Sequence, residues 1–226
     1  MLFFPGWNTL LAGYLNSIEE ITPLSEFADG RYNFHFWDFH VWLVMLAFAA
    51  AMGGSFILNQ LADVESDRKN KKLFIIDENF VTRKSALLES IILIAASILI
   101  GIFIGYRIFF LLVLFVVITA FFYNFRPFQW KNTPVGGLIA NSLMGWIAFA
   151  VGWSFQQSFS IQLIVASFPY ILLNTGLYLL TTIPDMEGDQ HTNKRTISVV
   201  LGLKSTIVLA CFLYIASLIS ALLLND

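Results

Sequence analysis

The sequence predicts an all-α fold: a polytopic transmembrane helix bundle of about seven helices, read as a single domain over residues 1–226. Three observations carry this. Of 226 residues, 58% are hydrophobic and only 12% charged, and the mean hydropathy is +0.74. A soluble domain carries roughly 25% charge, so this chain has half the usual charge to cover a water-facing surface, which excludes an ordinary cytosolic enzyme and a disordered chain. The apolar residues also come in long runs, and a helix needs about 20 of them to cross a bilayer. Finally, the basic residues are gathered in alternate connections between those runs.

In chain order, the first run, 2–17, is the weakest, being short and broken by Pro5 and Gly6. The runs 40–61, 86–105, 108–125, 135–155, 161–184 and 198–224 follow. Inside all of them Glu89 and Lys204 are the only Asp, Glu, Lys or Arg, each within a turn or two of a helix start. The connection 62–85 holds Arg68, Lys69, Lys71, Lys72, Arg83 and Lys84; 126–134 holds Arg126 and Lys131; the segment after the sixth run holds Lys194, Arg195 and Lys204. With seven spans these fall on one side, eleven basic residues against Arg31 and Arg107 on the other. Positive charge stays cytoplasmic, so these connections are expected in the cytoplasm and the acidic 18–39 connection outside. The agreement supports the weak first helix.

The remaining composition narrows function. A net charge of −2 gives no basic surface for nucleic acid. Cys211 is the single cysteine, which excludes an intramolecular disulfide and a cysteine-based metal cluster. No basic segment precedes the first apolar run, so a cleaved signal peptide is not expected.

The chemistry-bearing residues sit where helices leave the membrane on the predicted cytoplasmic side. Asn59, Asp63 and Asp67 are spaced i, i+4, i+8 and share one helix face. Asp185 and Asp189 repeat the spacing at the end of the sixth run, and the same face traced upward carries Thr181 or Thr182, Tyr178 and Asn174. Stacked carboxylates repel, and a divalent cation between them reverses that interaction. Mg²⁺ takes carboxylate oxygens and completes its shell with water and substrate phosphate. Two facing pairs would therefore hold two Mg²⁺ ions and one diphosphate, with Lys69, Lys72, Arg126, Lys131, Lys194 and Arg195 as candidate counter-cations. A solvated Asp-x-x-x-Asp is the ordinary explanation of one such pair; two on one predicted side argue for a shared site. A cation transporter would need ionisable residues near the midplane, where this chain places only amides and hydroxyls. A phosphatidyl-type transferase would need an Asp-Gly…Ala-Arg run, which is absent.

Asn59-x-x-x-Asp63-x-x-x-Asp67 with Asn70, followed later by Asp185-Met186-Glu187-Gly188-Asp189, resembles the UbiA superfamily of intramembrane prenyltransferases. Tyr123 to Lys131 resembles that family's Tyr-Ser-x-x-Pro-x-Arg-x-Lys stretch, and Lys194 to Gly202 its Arg-Thr-Leu-Pro-Val-x-x-Gly ending. The resemblance covers residues 40 to about 205. It implies a helical bundle with a cytoplasmic cavity, and Mg²⁺-dependent transfer of a prenyl group from an isoprenyl diphosphate to an aromatic or other lipophilic acceptor. Carried across, Asn59, Asp63 and Asp67 form the first metal motif and Asp185 and Asp189 the second, the four aspartates being the catalytic set. Lys131 and Arg195 match positions that hold the diphosphate, and Tyr123 matches a cavity tyrosine. Arg126, Lys72, Tyr178 and Asn174 complete the expected substrate-binding set.

Three positions depart from the family pattern: Gln60, Thr182 and Gln129 stand where Asp, Asp and Arg are usual. These bear on metal affinity and on the grip on the diphosphate. They also motivate the alternative of a folded, inactive relative. The family usually has nine helices and this chain about seven, from which a prenyl tunnel open to lipid, weak chain-length discrimination, or a homo-oligomer in which a second copy supplies the wall is expected.

Overall fold

The computed structural model describes residues 3–19, 39–69 and 80–224, with side chains for all of these except 3, 4, 19 and 65–69. Every regular element among them is helical: α1 (Phe3–Glu19), α2 (Phe39–Lys69), α3 (Arg83–Ile104), α4 (Tyr106–Val116), α5 (Pro134–Trp153), α6 (Ile161–Thr182), α7 (Met186–His191) and α8 (Ile197–Leu224). A π-helical turn, Val117–Phe122, extends α4, and a 3₁₀ turn, Trp130–Asn132, precedes α5. Five helices (α2, α3, α5, α6 and α8) are long and apolar enough to cross a membrane, and Tyr106–Phe122 is a shorter apolar one.

Local chemistry sets the helix starts. Thr82, Thr133 and Ser160 cap α3, α5 and α6 with side-chain oxygens that accept from Ser85, Gly136 and Leu163 N–H groups. Pro134 occupies the first turn of α5, where its missing N–H is harmless. Pro5 likewise falls in the first turn of α1, so it does not break that helix.

The weak first run is firmly seated. α1 packs along α5, and the two backbones nearly touch. A Cβ at Gly13 would overlap the Phe149 carbonyl, and one at Gly152 the Leu10 carbonyl. Around this crossing Leu10, Tyr14, Phe149 and Trp153 are completely buried. α2 packs along α3 by the same device, with the Ser90 hydroxyl donating 2.8 Å to the Gly54 carbonyl. α6 packs along α8, which bends at Gly202, where φ is 76°. α3 and α8 present most of their surface outward, including Leu99, Phe103, Val208, Phe212 and Leu222. That is how helices of a membrane bundle meet hydrocarbon, with no hydrophobic cost.

One expectation is corrected here. The sixth helix does not run on to carry Asp185 and Asp189. It ends at Thr182, and Asp185 stands at the N-cap position of a separate short helix, α7. Pro184 cannot donate to a continuing ladder, so the chain turns and restarts. The i, i+4 relation survives in the new helix, since Asp189 N–H donates 2.9 Å to the Asp185 carbonyl.

Candidate active site

Three connections meet at one end of the bundle and build a polar mouth. α2 brings Asn59 and Asp63. The α4–α5 connection brings Asn124 and Lys131, and the segment after α7 brings Lys194. Lys131 Nζ lies 2.9 Å from Asp63 Oδ1, 3.0 Å from Asn124 Oδ1 and 3.4 Å from Asn59 Oδ1. An ammonium has three N–H donors, and three acceptors meet this one among the described side chains. Lys194 Nζ reaches the same Asp63 oxygen at 3.1 Å. Both lysines and the aspartate are largely buried, at 8%, 17% and 14% exposure, so the ion pairs are poorly screened.

The backbone explains why these lysines point inward. Gln129 adopts left-handed φ 39° and turns the chain into the 3₁₀ turn that carries Lys131. Lys131 N–H then donates to the Tyr123 carbonyl at 3.3 Å, folding the connection back over the end of the π turn. α7 ends in a Schellman motif. Asn193 sits at φ 56°, its N–H donates to Gln190, and Lys194 N–H donates 2.9 Å to the Asp189 carbonyl. That cap brings Lys194 under α7 toward Asp63. Arg195, one residue on, bonds Asn132 through its backbone and leaves its side chain exposed.

Asp189 is buried and Asp185 half-buried on the facing side, and Asp63, Asp189 and Asp185 all lie near enough to act electrostatically on the Tyr123 hydroxyl. Asp67 lies one turn beyond Asp63 on α2, its side chain outside the described ones, and Lys72 lies outside the described residues. Arg126 is exposed. Of the expected set, Asn59, Asp63, Lys131, Tyr123, Tyr178 and Asn174 are gathered at the mouth and the cavity behind it. Arg126 and Arg195 have side chains that are not.

Behind the mouth lies a cavity of about 230 Å³. Its body is apolar, with Phe48, Met52, Phe56, Phe115, Met144 and Ala148, and Pro5 and Gly6 of α1 close one side. Its polar lining is sparse and uncharged: Asn59 near the mouth, then Ser55, Thr119, Tyr123, Asn141, Tyr178 and Asn174. The Ser55 and Thr119 hydroxyls are 2.7 Å apart, and the Tyr123 side chain lies close to the Asn141 amide. One residue of this site, Asn124, escapes the sequence reading, although a buried amide ending an apolar run is a signal. Lys194 is named there as one candidate cation among six, and only the Asn193 cap separates it from Arg195.

The donor set suits a hard cation, because Asn59, Asp63, Asp185 and Asp189 all offer oxygen. Among the described residues no three His, Cys, Asp or Glu side chains are grouped to hold a metal ion. Mg²⁺ is commonly held by one or two carboxylates and completed by substrate phosphates rather than caged by protein alone. Separated carboxylates across a polar mouth fit that second mode.

An all-helical membrane bundle around an apolar cavity with one charged mouth defines the class of protein. The chain belongs to the UbiA prenyltransferase family, whose model matches residues 28–225, and it is a prenyltransferase by that membership. It is similar to the digeranylgeranylglyceryl phosphate synthase of Thermococcus gammatolerans, 26% identical over 96% of this chain and 74% of that protein. It is also similar to the chloroplastic 2-acyl-4-prenylphloroglucinol 6-prenyltransferase of Humulus lupulus, 25% identical over 73% of this chain and 43% of that protein. The fold is shared with a UbiA homolog from Archaeoglobus fulgidus solved bound to GPP and Mg²⁺, with TM-score 0.73 and 23% identity, covering 97% of this chain and 74% of that one. A UbiA homolog from Aeropyrum pernix matches with TM-score 0.70 and 14% identity over 98% of this chain and 79% of that one.

Proposed function

We propose that this protein transfers a prenyl group from an isoprenyl diphosphate to a lipophilic acceptor inside the membrane, with Mg²⁺ at the mouth. The observation that carries this reading is the division of one cavity into an apolar body and a mouth of carboxylates and lysines. A diphosphate ester of a long hydrocarbon has the same division. Asn59, Asp63, Asp67, Asp185 and Asp189 are the residues that would hold the metal. Bound Mg²⁺ supplies Lewis-acid stabilisation of the diphosphate oxygens. Lys131 and Lys194, already fixed by their contacts to Asp63, add positive charge where the leaving group gathers negative charge. The allylic C–O bond breaks and its electron pair leaves with the diphosphate. An electron pair of the acceptor forms the new bond to carbon, and the acceptor's proton passes to diphosphate or water at the mouth. The apolar wall excludes water from the allylic carbon, and Phe48, Phe56, Phe115 and Tyr123 set aromatic faces beside its positive charge.

The acceptor is lipophilic on this reading. The archaeal relative named above is a digeranylgeranylglyceryl phosphate synthase and the hop relative acts on an acylphloroglucinol, so a glyceryl phosphate lipid and a phenolic ring are the two acceptors to try first. The mouth faces the cytoplasm, a placement supported by the eleven-to-two asymmetry of basic residues. The test is purified protein in nanodiscs with allylic diphosphates of several lengths and a panel of both acceptor types, products read by mass spectrometry. Prenylated product with stoichiometric diphosphate supports the reading, and no product with any pair overturns it.

A further inference from the structure

Asn174 holds a feature that neither the diphosphate nor the prenyl chain explains. It lies two turns inside the end of α6, about 12 Å along the axis at 1.5 Å per residue, and it lines the cavity. Its amide orientation is fixed by its partners. Nδ2 donates 2.9 Å to the Tyr170 carbonyl, which can only accept. Nδ2 also donates 3.0 Å to Thr9 Oγ1, whose own proton goes to the Pro5 carbonyl at 2.8 Å. Both N–H groups are therefore used, one within α6 and one in tying α6 to α1. These two bonds account for the nitrogen and leave the oxygen, for which no partner exists among the described residues. One turn nearer the mouth, on the same helix face, the Tyr178 hydroxyl lies against Gly137 and likewise has no hydrogen-bond partner among them.

An unpaired carbonyl at membrane depth costs free energy unless a donor reaches it. A prenyl chain has no donor, and a diphosphate is itself an acceptor held at the mouth. We infer that Asn174 Oδ1 recognises a hydroxyl of the prenyl acceptor, with the Tyr178 hydroxyl as the second polar contact on the same wall. This rests on the transfer reading above and deepens it: the acceptor is an alcohol or phenol that enters with its O–H toward α6. The residue selects and orients the acceptor and takes no part in holding the diphosphate.

The test is equilibrium binding in nanodiscs, without donor, of two matched pairs: a geranylgeranyl glyceryl ether phosphate with one free hydroxyl against its O-methyl ether, and a long-chain alkylphenol against its methyl ether. In the natural protein the hydroxyl member of at least one pair is expected to bind about 10- to 100-fold more tightly, the range of one buried hydrogen bond left unmade. The pair that shows the preference identifies the acceptor class. Asn174→Leu should erase the preference. Thr9→Val breaks the same α1–α6 link without touching Oδ1 and should keep the preference. Equal binding within both pairs overturns the inference, as does a preference that survives Asn174→Leu or is lost in Thr9→Val. If the preference holds but no compound is prenylated when donor is added, the transfer reading fails and the acceptor role with it, and only hydroxyl recognition by Asn174 remains.

Discussion

Asp63 accepts two lysine ammoniums on one oxygen while belonging to the carboxylate set that would hold Mg²⁺. That double duty gives it two measurable signatures. Asp63→Ala removes a proposed metal ligand and is expected to cut transfer by about 10²–10³, the scale of one strong preorganised electrostatic contact. It also removes the carboxylate that both Lys131 and Lys194 contact, so thermal unfolding in detergent should show a loss of about 1–3 kcal/mol. Asp67→Ala, Asp185→Ala and Asp189→Ala are expected to reduce the rate similarly. Glu187→Ala, whose side chain is exposed, should not. Steady-state assays of the set check this, and near-natural rates in two or more of the aspartate variants refute the shared site. The two neighbouring cations are separated in the same way. Lys194→Ala should raise KM for the diphosphate more than Arg195→Ala, because Lys194 is the one fixed at the mouth 3.1 Å from Asp63.

At the scale of elements, the bundle depends on glycine crossings. Gly152→Val would drive a side chain into the Leu10 carbonyl, so α1 must lift off α5. Overpacking of this kind costs about 1–3 kcal/mol, and it also displaces Pro5 and Gly6 from the cavity wall. A lowered unfolding temperature together with a raised KM for acceptor is expected; an unchanged unfolding temperature contradicts the crossing. Much of the fold is legible in the sequence because hydrophobic length and basic asymmetry are long-range signals. All seven apolar runs are helices, their ends shifted by three residues or fewer except that the second runs on to Lys69. The spacing of Asn59 and Asp63 also places both at the mouth, since α2 continues unbroken past them. What the sequence hides is set by single backbone conformations. Pro184 ends α6 before the second aspartate pair, and left-handed Gln129 and Asn193 decide that Lys131 and Lys194 turn inward while Arg195 does not. Hydropathy is blind to such choices. The seating of α1 is hidden for a related reason: Gly13 and Gly152 are 139 positions apart in the chain, and their crossing follows from backbone proximity rather than from any local pattern.

For the whole molecule, the contacts of Lys131 and Lys194 with Asp63 bring three segments to one end of the bundle, and the proposed orientation, supported by the basic asymmetry, puts that end in the cytoplasm. Single cysteines at Ser66, Asn132 and Thr192, in a Cys211→Ser background, should therefore react alike with an impermeant reagent applied from the cytoplasmic side. Labelling of any one from the opposite side contradicts the topology. The central claim is that a charged mouth and an apolar cavity together carry out metal-dependent prenyl transfer. It is tested most directly by single-turnover transfer from an allylic diphosphate in purified protein while Mg²⁺ is titrated and then removed with a chelator. The account predicts diphosphate release and prenylated product rising together to saturation with Mg²⁺, lost on chelation and lost in Asp63→Ala and Asp189→Ala. Transfer that persists unchanged after chelation, or in both variants, would contradict it.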